Sequence, residues 1–228
     1  MTQEITTTVV AERECFISRS PEAKALIIQP IDEREAEMLT REVRFIRELS
    51  TTPFTLVAFK ISDWNSELTP WPAPPVFGKQ PFGDGAEATL SFITDELLPH
   101  LRADELQPMT AMLAGYSLAG LFALWASYRS DAFAGIAAAS PSVWYPRWFD
   151  FASERATLAR AVYLSLGDKE AKSRNPLMSK VDTAITAQHE LLLRQGVATA
   201  LQWNMGNHFV DADKRLAKAI AWLLNLIS

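Results

Sequence analysis

The chain has 228 residues, with 22 basic and 27 acidic side chains, a formal net charge of −5, one cysteine and three histidines. The single cysteine, Cys15, excludes an internal disulfide framework and a cysteine-rich zinc site, and three histidines leave little room for an all-histidine metal centre. Hydrophobic residues at 48% with 21% charged suit a folded core, and mild acidity without a basic run argues against a nucleic-acid surface.

The opening residues, Met-Thr-Gln-Glu-Ile-Thr-Thr-Thr, carry neither the basic nor the apolar region of a secretory leader. Apolar stretches such as Met109–Leu113 and Ile136–Ala139 are too short to cross a bilayer, so a cytoplasmic protein with no membrane partner is expected. Residues 4–18, rich in Thr, Val and Ile, predict one or two edge strands. Ala25–Ile28 is a continuous apolar run, the mark of a strand buried on both faces. Asp32 with Glu35 reads as a capping pair, and Met38, Leu39, Val43 and Ile46 follow at helical spacing. Phe54–Ile61 is the next strand. Residues 62–88 then hold Pro70, Pro72, Pro74, Pro75 and Pro81 with Gly78, Gly83 and Gly85. Prolines remove backbone donors and fix φ, so a long loop is expected; Trp64, Trp71, Phe77 and Phe82 predict that it is packed.

A helix is predicted over Ala88–Leu101, a strand over Met109–Tyr116, a helix over Leu118–Tyr128, and strands over Phe133–Ala139 and Arg160–Leu166. Asn175 and Pro176 read as the N-cap and first residue of a helix ending near Gly196. Ala198–Asn204 is the last strand, and Asp211 is expected to cap a final helix carrying Leu216, Ile220, Leu223, Leu224 and Ile227. Strands apolar on both faces and alternating with helices predict an α/β architecture: one domain over residues 1–228, with a mostly parallel central sheet and helices on both faces.

The stretch richest in chemistry is Ala114-Gly115-Tyr116-Ser117-Leu118-Ala119-Gly120-Leu121. An apolar strand runs straight into a helix through a turn with serine at its apex and small residues, Gly115 and Ala119, two positions to either side. A nucleophile elbow needs that arrangement, because strand and helix must approach closely around the serine. The plainer reading is a serine capping a helix. A serine hydroxyl needs a base within hydrogen-bond reach. In the order nucleophile, acid, histidine, His100 comes too early and His189 lies inside a helical stretch. His208, after the last strand, fits the order. The acid belongs on the loop after the preceding strand, where Gly167-Asp168-Lys169-Glu170 offers two carboxylates; Glu170 has the greater reach and Asp168 lies closer to the strand. The Leu118 amide, at a helix N-terminus, suits an oxyanion donor, and Trp64 or Asn65 after the Phe54–Ile61 strand is expected to give the second. Gly83-Asp84-Gly85 has no phosphate-cradle spacing.

Gly115-Tyr116-Ser117-Leu118-Ala119-Gly120-Leu121-Phe122-Ala123-Leu124, then Ala139-Ser140-Pro141-Ser142-Val143-Trp144-Tyr145, resemble the putative-esterase branch of the α/β hydrolases, which holds enterochelin esterases and esterase D-like enzymes. Glu67-Leu68-Thr69-Pro70, the Gly167–Glu170 loop and Gly206-Asn207-His208 extend the likeness from about residue 55 onward. Ala119 stands where the family usually has glycine, and Asn207 replaces the second glycine of a Gly-Gly-His-like ending. The resemblance implies an α/β-hydrolase fold and a serine esterase acting on a small-molecule ester, with Ser117 and His208 carried over and no cofactor or metal. Some members of the branch are Ser–His dyads, which leaves Glu170 and Asp168 both open. Trp144 and Trp71, with Trp64, are expected to wall the substrate pocket. An acyltransferase using the same triad, or a binding protein that keeps the elbow without catalysis, are the competing expectations; oligomeric state is not legible.

Overall fold

The computed structural model describes residues 5–76, 78–103 and 109–227; Phe77, expected to pack the long loop, lies outside them. Two strands, β1 (Thr6–Val10) and β2 (Arg13–Ser18), form an antiparallel hairpin turned at Ala11 and Glu12, both at positive φ. They extend a parallel sheet made of β3 (Ala25–Ile31), β4 (Phe54–Lys60), β5 (Thr110–Tyr116), β6 (Gly135–Ala139), β7 (Ala161–Gly167) and β8 (Ala198–Asn204). The order across the sheet is β1-β2-β4-β3-β5-β6-β7-β8, with β2 antiparallel to β4 and every later pair parallel. Strands β3, β5, β6 and β7 are buried along almost their whole length, as runs apolar on both faces require when helices cover the sheet.

Two helices, α1 (Glu33–Leu49) and α8 (Ala212–Leu226), cover one face, with Leu39, Val43 and Ile46 meeting Leu216, Ile220, Leu223 and Leu224 in one apolar cluster. The Asp32 capping box is formed in full: the Glu35 amide donates to Asp32 Oδ1 (2.7 Å) and the Asp32 amide donates to Glu35 Oε2 (3.1 Å). On the other face lie α5 (Leu118–Ala126), fully buried, α6 (Trp148–Ser153) and α7 (Val181–Arg194). With them lies a continuous helical run made of α3 (Ala86–Ser91), a π-helical stretch (Phe92–Leu97) and α4 (Leu98–Ala103).

Three local expectations are revised. Asn175 caps a short turn, accepting from the Leu177 and Met178 amides, and α7 begins only after a 3-10 turn at Met178–Lys180. Asp211 precedes α8 but sits at φ 52 without a capping bond, and its carboxylate pairs with Lys214 at 3.2 Å. The proline-rich loop contains a four-residue helix, α2 (Trp64–Glu67), and a bridge between Ala73 and Phe82. Glu67 organises that loop: Oε1 accepts from the Ser62 and Asp63 amides (2.9 and 2.8 Å), while Oε2 pairs with Arg13 of β2 at 2.6 Å. Among the described residues no helix is long and apolar enough to cross a membrane.

The sheet order sets up the site. Strand β3 has β4 on one side and β5 on the other, so successive crossovers leave in opposite directions and open a crevice at the strands' carboxyl ends. Ile28 of β3 pairs with Leu113 of β5; four residues further along each chain stand Asp32 and Ser117. At this crevice β5 and α5 touch through Gly115, where a Cβ would lie 2.3 Å from the Ala119 carbonyl carbon and oxygen. Gly115→Ala should therefore destabilise the protein by about 3 kcal/mol and lower Tm by about 6–12 °C in thermal unfolding. Ala119→Gly, which loosens the helix and removes a buried methyl, should cost about 1–2 kcal/mol.

Candidate functional site

Close packing at Gly115 forces the residue between strand and helix into a tight turn. Ser117 has φ 58 and ψ −120, a conformation that costs a non-glycine residue about 1–3 kcal/mol and is tolerated only where the surroundings impose it. Its backbone is held by bonds to Ala139 O (3.2 Å) and from the Ser142 amide (3.0 Å), which tie the elbow to the turn after β6. Its hydroxyl lies 3.0 Å from His208 Nε2, and His208 Nδ1 lies 2.7 Å from Glu170 Oε2. An ionised carboxylate only accepts, so Nδ1 carries the hydrogen and Nε2 is left to accept from Ser117.

Glu170 is buried, which by itself raises a carboxyl pKa. The hydrogen bond and charge of His208, the Ser140 hydroxyl and the Gly167 amide outweigh burial and hold Glu170 below the ordinary carboxylate range. Its Oε1 accepts from the Gly167 amide and Ser140 Oγ at 2.7 Å each, and from Arg215 Nη1 at 3.1 Å. Asp168, the alternative acid, is exposed and accepts from the Gly206 amide at 2.7 Å. It shapes the turn that carries His208, whereas Glu170 makes the bond to the imidazole.

A cavity of about 250 Å³ opens beside Ser117 and His208. One wall is α1, through Arg34, Glu35, Met38 and Arg41, which recur on one helix face; Trp64 of α2 and Phe209 complete much of the rest. Arg41 Nε pairs with the buried Asp213 Oδ2 at 2.5 Å. Asn65 is not among the lining residues: its carbonyl accepts the Thr69 hydroxyl (2.6 Å) and the Gly83 amide (3.1 Å). Trp71 and Trp144, expected in the pocket wall, do not line this cavity either. Trp71 donates from Nε1 to Pro146 O (2.8 Å) and packs on Tyr145 and Phe151, while Trp144 packs on Phe82 and Tyr145. These aromatics pin the proline-rich loop to the turn after β6, because a loop poor in backbone hydrogen bonds has to be held by side-chain contacts.

Sequence reasoning took Asp32 and Glu35 as helix caps only and passed over Arg34, Arg41, Tyr116, Ser140 and Arg215. Two of these left a visible signal: Arg34 and Arg215 are cations in the first turns of helices, where the helix dipole disfavours them. The α1 residues could not be placed without knowing that β3 borders β5.

Sheet order, strained serine and histidine loop together define an α/β hydrolase. The chain belongs to the family described as Putative esterase, whose model matches residues 37–217, and it is a carboxylic ester hydrolase. Its structure is similar to an IroE-like serine hydrolase from Shewanella oneidensis (TM-score 0.81, 16% identity, 99% of this chain and 81% of that one). It is also similar to the siderophore hydrolase EstA from Aspergillus nidulans (TM-score 0.76, 18% identity, 99% and 95%). The enterobactin esterase FES from Shigella flexneri is larger: all of this chain aligns with 60% of it (TM-score 0.67, 17% identity). No curated protein matches by sequence comparison.

Behind the cavity, Glu42 is fully enclosed; Gln29 Nε2 donates to its Oε2 at 3.5 Å, and Oε1 has no hydrogen-bond partner among the described residues. Burial first, then the Glu35 carboxylate and Asp213, push Glu42 up to about 8; Glu35 is pushed to about 8 by burial and Asp32, with Arg34 opposing. A carboxyl whose folded pKa is raised keeps its proton after the unfolded chain has lost its own. The stability it contributes is complete below the ordinary glutamate range and is lost as pH rises through about 8. Tm should therefore fall between about pH 5 and pH 9, and Glu42→Gln should flatten that slope; an unchanged slope in differential scanning fluorimetry would contradict this.

Proposed function

We propose that this esterase works through an acyl-enzyme, with Ser117 as nucleophile, His208 as proton carrier and Glu170 as the acid that orients it. The observation that carries the reading is the unbroken pair of contacts from Ser117 Oγ to His208 Nε2 (3.0 Å) and from His208 Nδ1 to Glu170 Oε2 (2.7 Å). His208 takes the serine proton as the hydroxyl attacks the ester carbonyl, then returns it to the departing alcohol. Water repeats the cycle in reverse and releases the acid. Glu170 holds Nδ1–H and balances the transient imidazolium.

Negative charge gathers on the carbonyl oxygen during attack, and the start of α5 lies beside it. Leu118 is the first residue of that helix, so its amide has no acceptor within the helix and is available to the oxyanion. Strand β3, not β4, borders the nucleophile strand, which argues against Asn65 and Trp64 as the second donor and for the turn that opens α1. The Asp32 amide is taken by Glu35, and the amide of Glu33, first in its helix, completes the pair in this reading. Trp64 serves as cavity wall. EstA is named a siderophore hydrolase and FES an enterobactin esterase, so siderophores, enterobactin among the first, are the natural compounds to assay beside p-nitrophenyl acetate.

The test combines covalent labelling with rates. A fluorophosphonate should label the wild type and not Ser117→Ala, and both Ser117→Ala and His208→Ala should lose at least about 10³-fold in kcat on p-nitrophenyl acetate. Glu170→Gln should lose on the order of 10²- to 10⁴-fold, and Asp168→Asn less than about tenfold. An active Ser117→Ala, or a larger loss at Asp168 than at Glu170, would contradict the assignment.

A further inference from the structure

The loop that carries His208 has little packing of its own: Met205 is 86% exposed and Phe209 75%. Its shape is imposed by hydrogen bonds to its backbone. Arg215 Nη2 donates to Met205 O (2.9 Å), Tyr116 OH donates to His208 O (2.7 Å), and Asp168 Oδ1 accepts from the Gly206 amide. The same Arg215 reaches the acid. Its Nη1 lies 3.1 Å from Glu170 Oε1, 3.3 Å from Tyr116 OH and 3.4 Å from Ser140 Oγ.

Nothing about the helix explains an arginine there. Arg215 lies near the N-terminus of α8, where the dipole repels a cation, and it is only 2% exposed, where a charge must be paired. The surrounding space is cut to fit it. A Cβ on Gly167 would lie 2.9 Å from both Arg215 Nη1 and Glu170 Oε1, and 2.4 Å from Gly206 O. Ser140, whose hydroxyl donates to the same carboxylate oxygen, is held at φ 44. Three donors thus converge on Glu170 Oε1, and among the described residues Oε2 bonds His208 Nδ1.

We propose that Arg215 is a positioning residue of this hydrolase, fixing both the Glu170 carboxylate and the backbone of the His208 loop so that Oε2 meets Nδ1. This rests on the reading that Ser117, His208 and Glu170 form the triad. The guanidinium also places a fixed positive charge 3.1 Å from Glu170 Oε1, on the side of the carboxylate away from His208. Among the described residues, Tyr116 of β5 bonds the His208 carbonyl, Asp168 and Lys169 on the acid's own turn bond Gly206, and Asp211 and Asp213 line the cavity beside His208, Asp211 paired with Lys214. Across the cavity stand Asp32, Arg34, Glu35 and Arg41.

The experiment compares wild type, Arg215→Gln, Arg215→Lys and Ser117→Ala on p-nitrophenyl acetate, reading kcat, KM, the acid limb of kcat/KM against pH, and Tm. Arg215→Gln should lower kcat about 10- to 100-fold with KM nearly unchanged. Its acid limb should move up by about one pH unit, since an added proton no longer meets a nearby cation. Arg215→Lys keeps the charge without the fork, so its limb should stay with the wild type while kcat recovers in part. A folded Arg215→Gln with an unmoved limb, whatever its kcat, or an Arg215→Lys with a displaced limb, would overturn the proposal. If Arg215→Gln does not fold, Arg215→Lys decides: a lowered kcat with KM and Tm near wild type supports the proposal, and an unchanged kcat overturns it. An inactive Ser117→Ala beside an unmoved limb would sink the Arg215 assignment and spare the triad; an active Ser117→Ala would sink both.

Discussion

An ionised carboxylate inside a protein has to be solvated by the protein itself, and the carboxyl-terminal part of this chain is arranged around that demand. Glu170 stands in a turn after β7, out of water, and is kept charged by His208, Ser140 and the Gly167 amide, while Arg215 bonds the same carboxylate. Each donor comes from a different part of the chain: the end of β6, the end of β7, the loop after β8 and the start of α8. Satisfying one carboxylate therefore fixes four segments relative to one another, and the imidazole's orientation follows from theirs. The glycine at 167 is part of the same solution, because no side chain fits between the acid and its cation.

The parallel sheet makes such convergence inexpensive. Every strand from β3 onward ends at the same edge, so the turns after β3, β5, β6, β7 and β8 meet there although they span most of the sequence. Reversal of the strand order at β3 opens the crevice in which Ser117 stands, and the first turns of α1 form its far wall. That wall mixes Arg34 and Arg41 with Glu35 and Met38, so the cavity offers both charge and apolar surface beside Ser117. The proline-rich loop reaches the same edge from outside, pinned by Trp71, Phe82 and Tyr145.

The strands and the order of the catalytic candidates were legible because they rest on local pattern. A continuous apolar run such as Ala25–Ile28 suits burial on both faces, and small residues two positions either side of Ser117 allow a close strand–helix contact. Choosing between Asp168 and Glu170 was beyond sequence, since both stand in one turn and the decision rests on what surrounds each carboxylate. Pocket walls were misread for a related reason. Trp71 and Trp144 are large and stand in loops, but their indoles are used to hold a loop, whereas the cavity takes its wall from α1, through a strand neighbour that only the sheet order reveals. Asn175 and Asp211 were read as helix caps by residue type alone; the first caps a turn and the second makes an ion pair, because capping depends on backbone angles that composition does not carry.

In the proposed mechanism Ser117 carries the acyl group between two proton transfers by His208. Rapid-quench mass spectrometry of the enzyme turning over p-nitrophenyl acetate, followed by peptide mapping, tests it most directly. One acetyl group per chain should appear on the peptide containing Ser117 with the first release of p-nitrophenol, and persist longer in Glu170→Gln. Acetyl on another residue, or full turnover with no acetylated peptide in either protein, would contradict it.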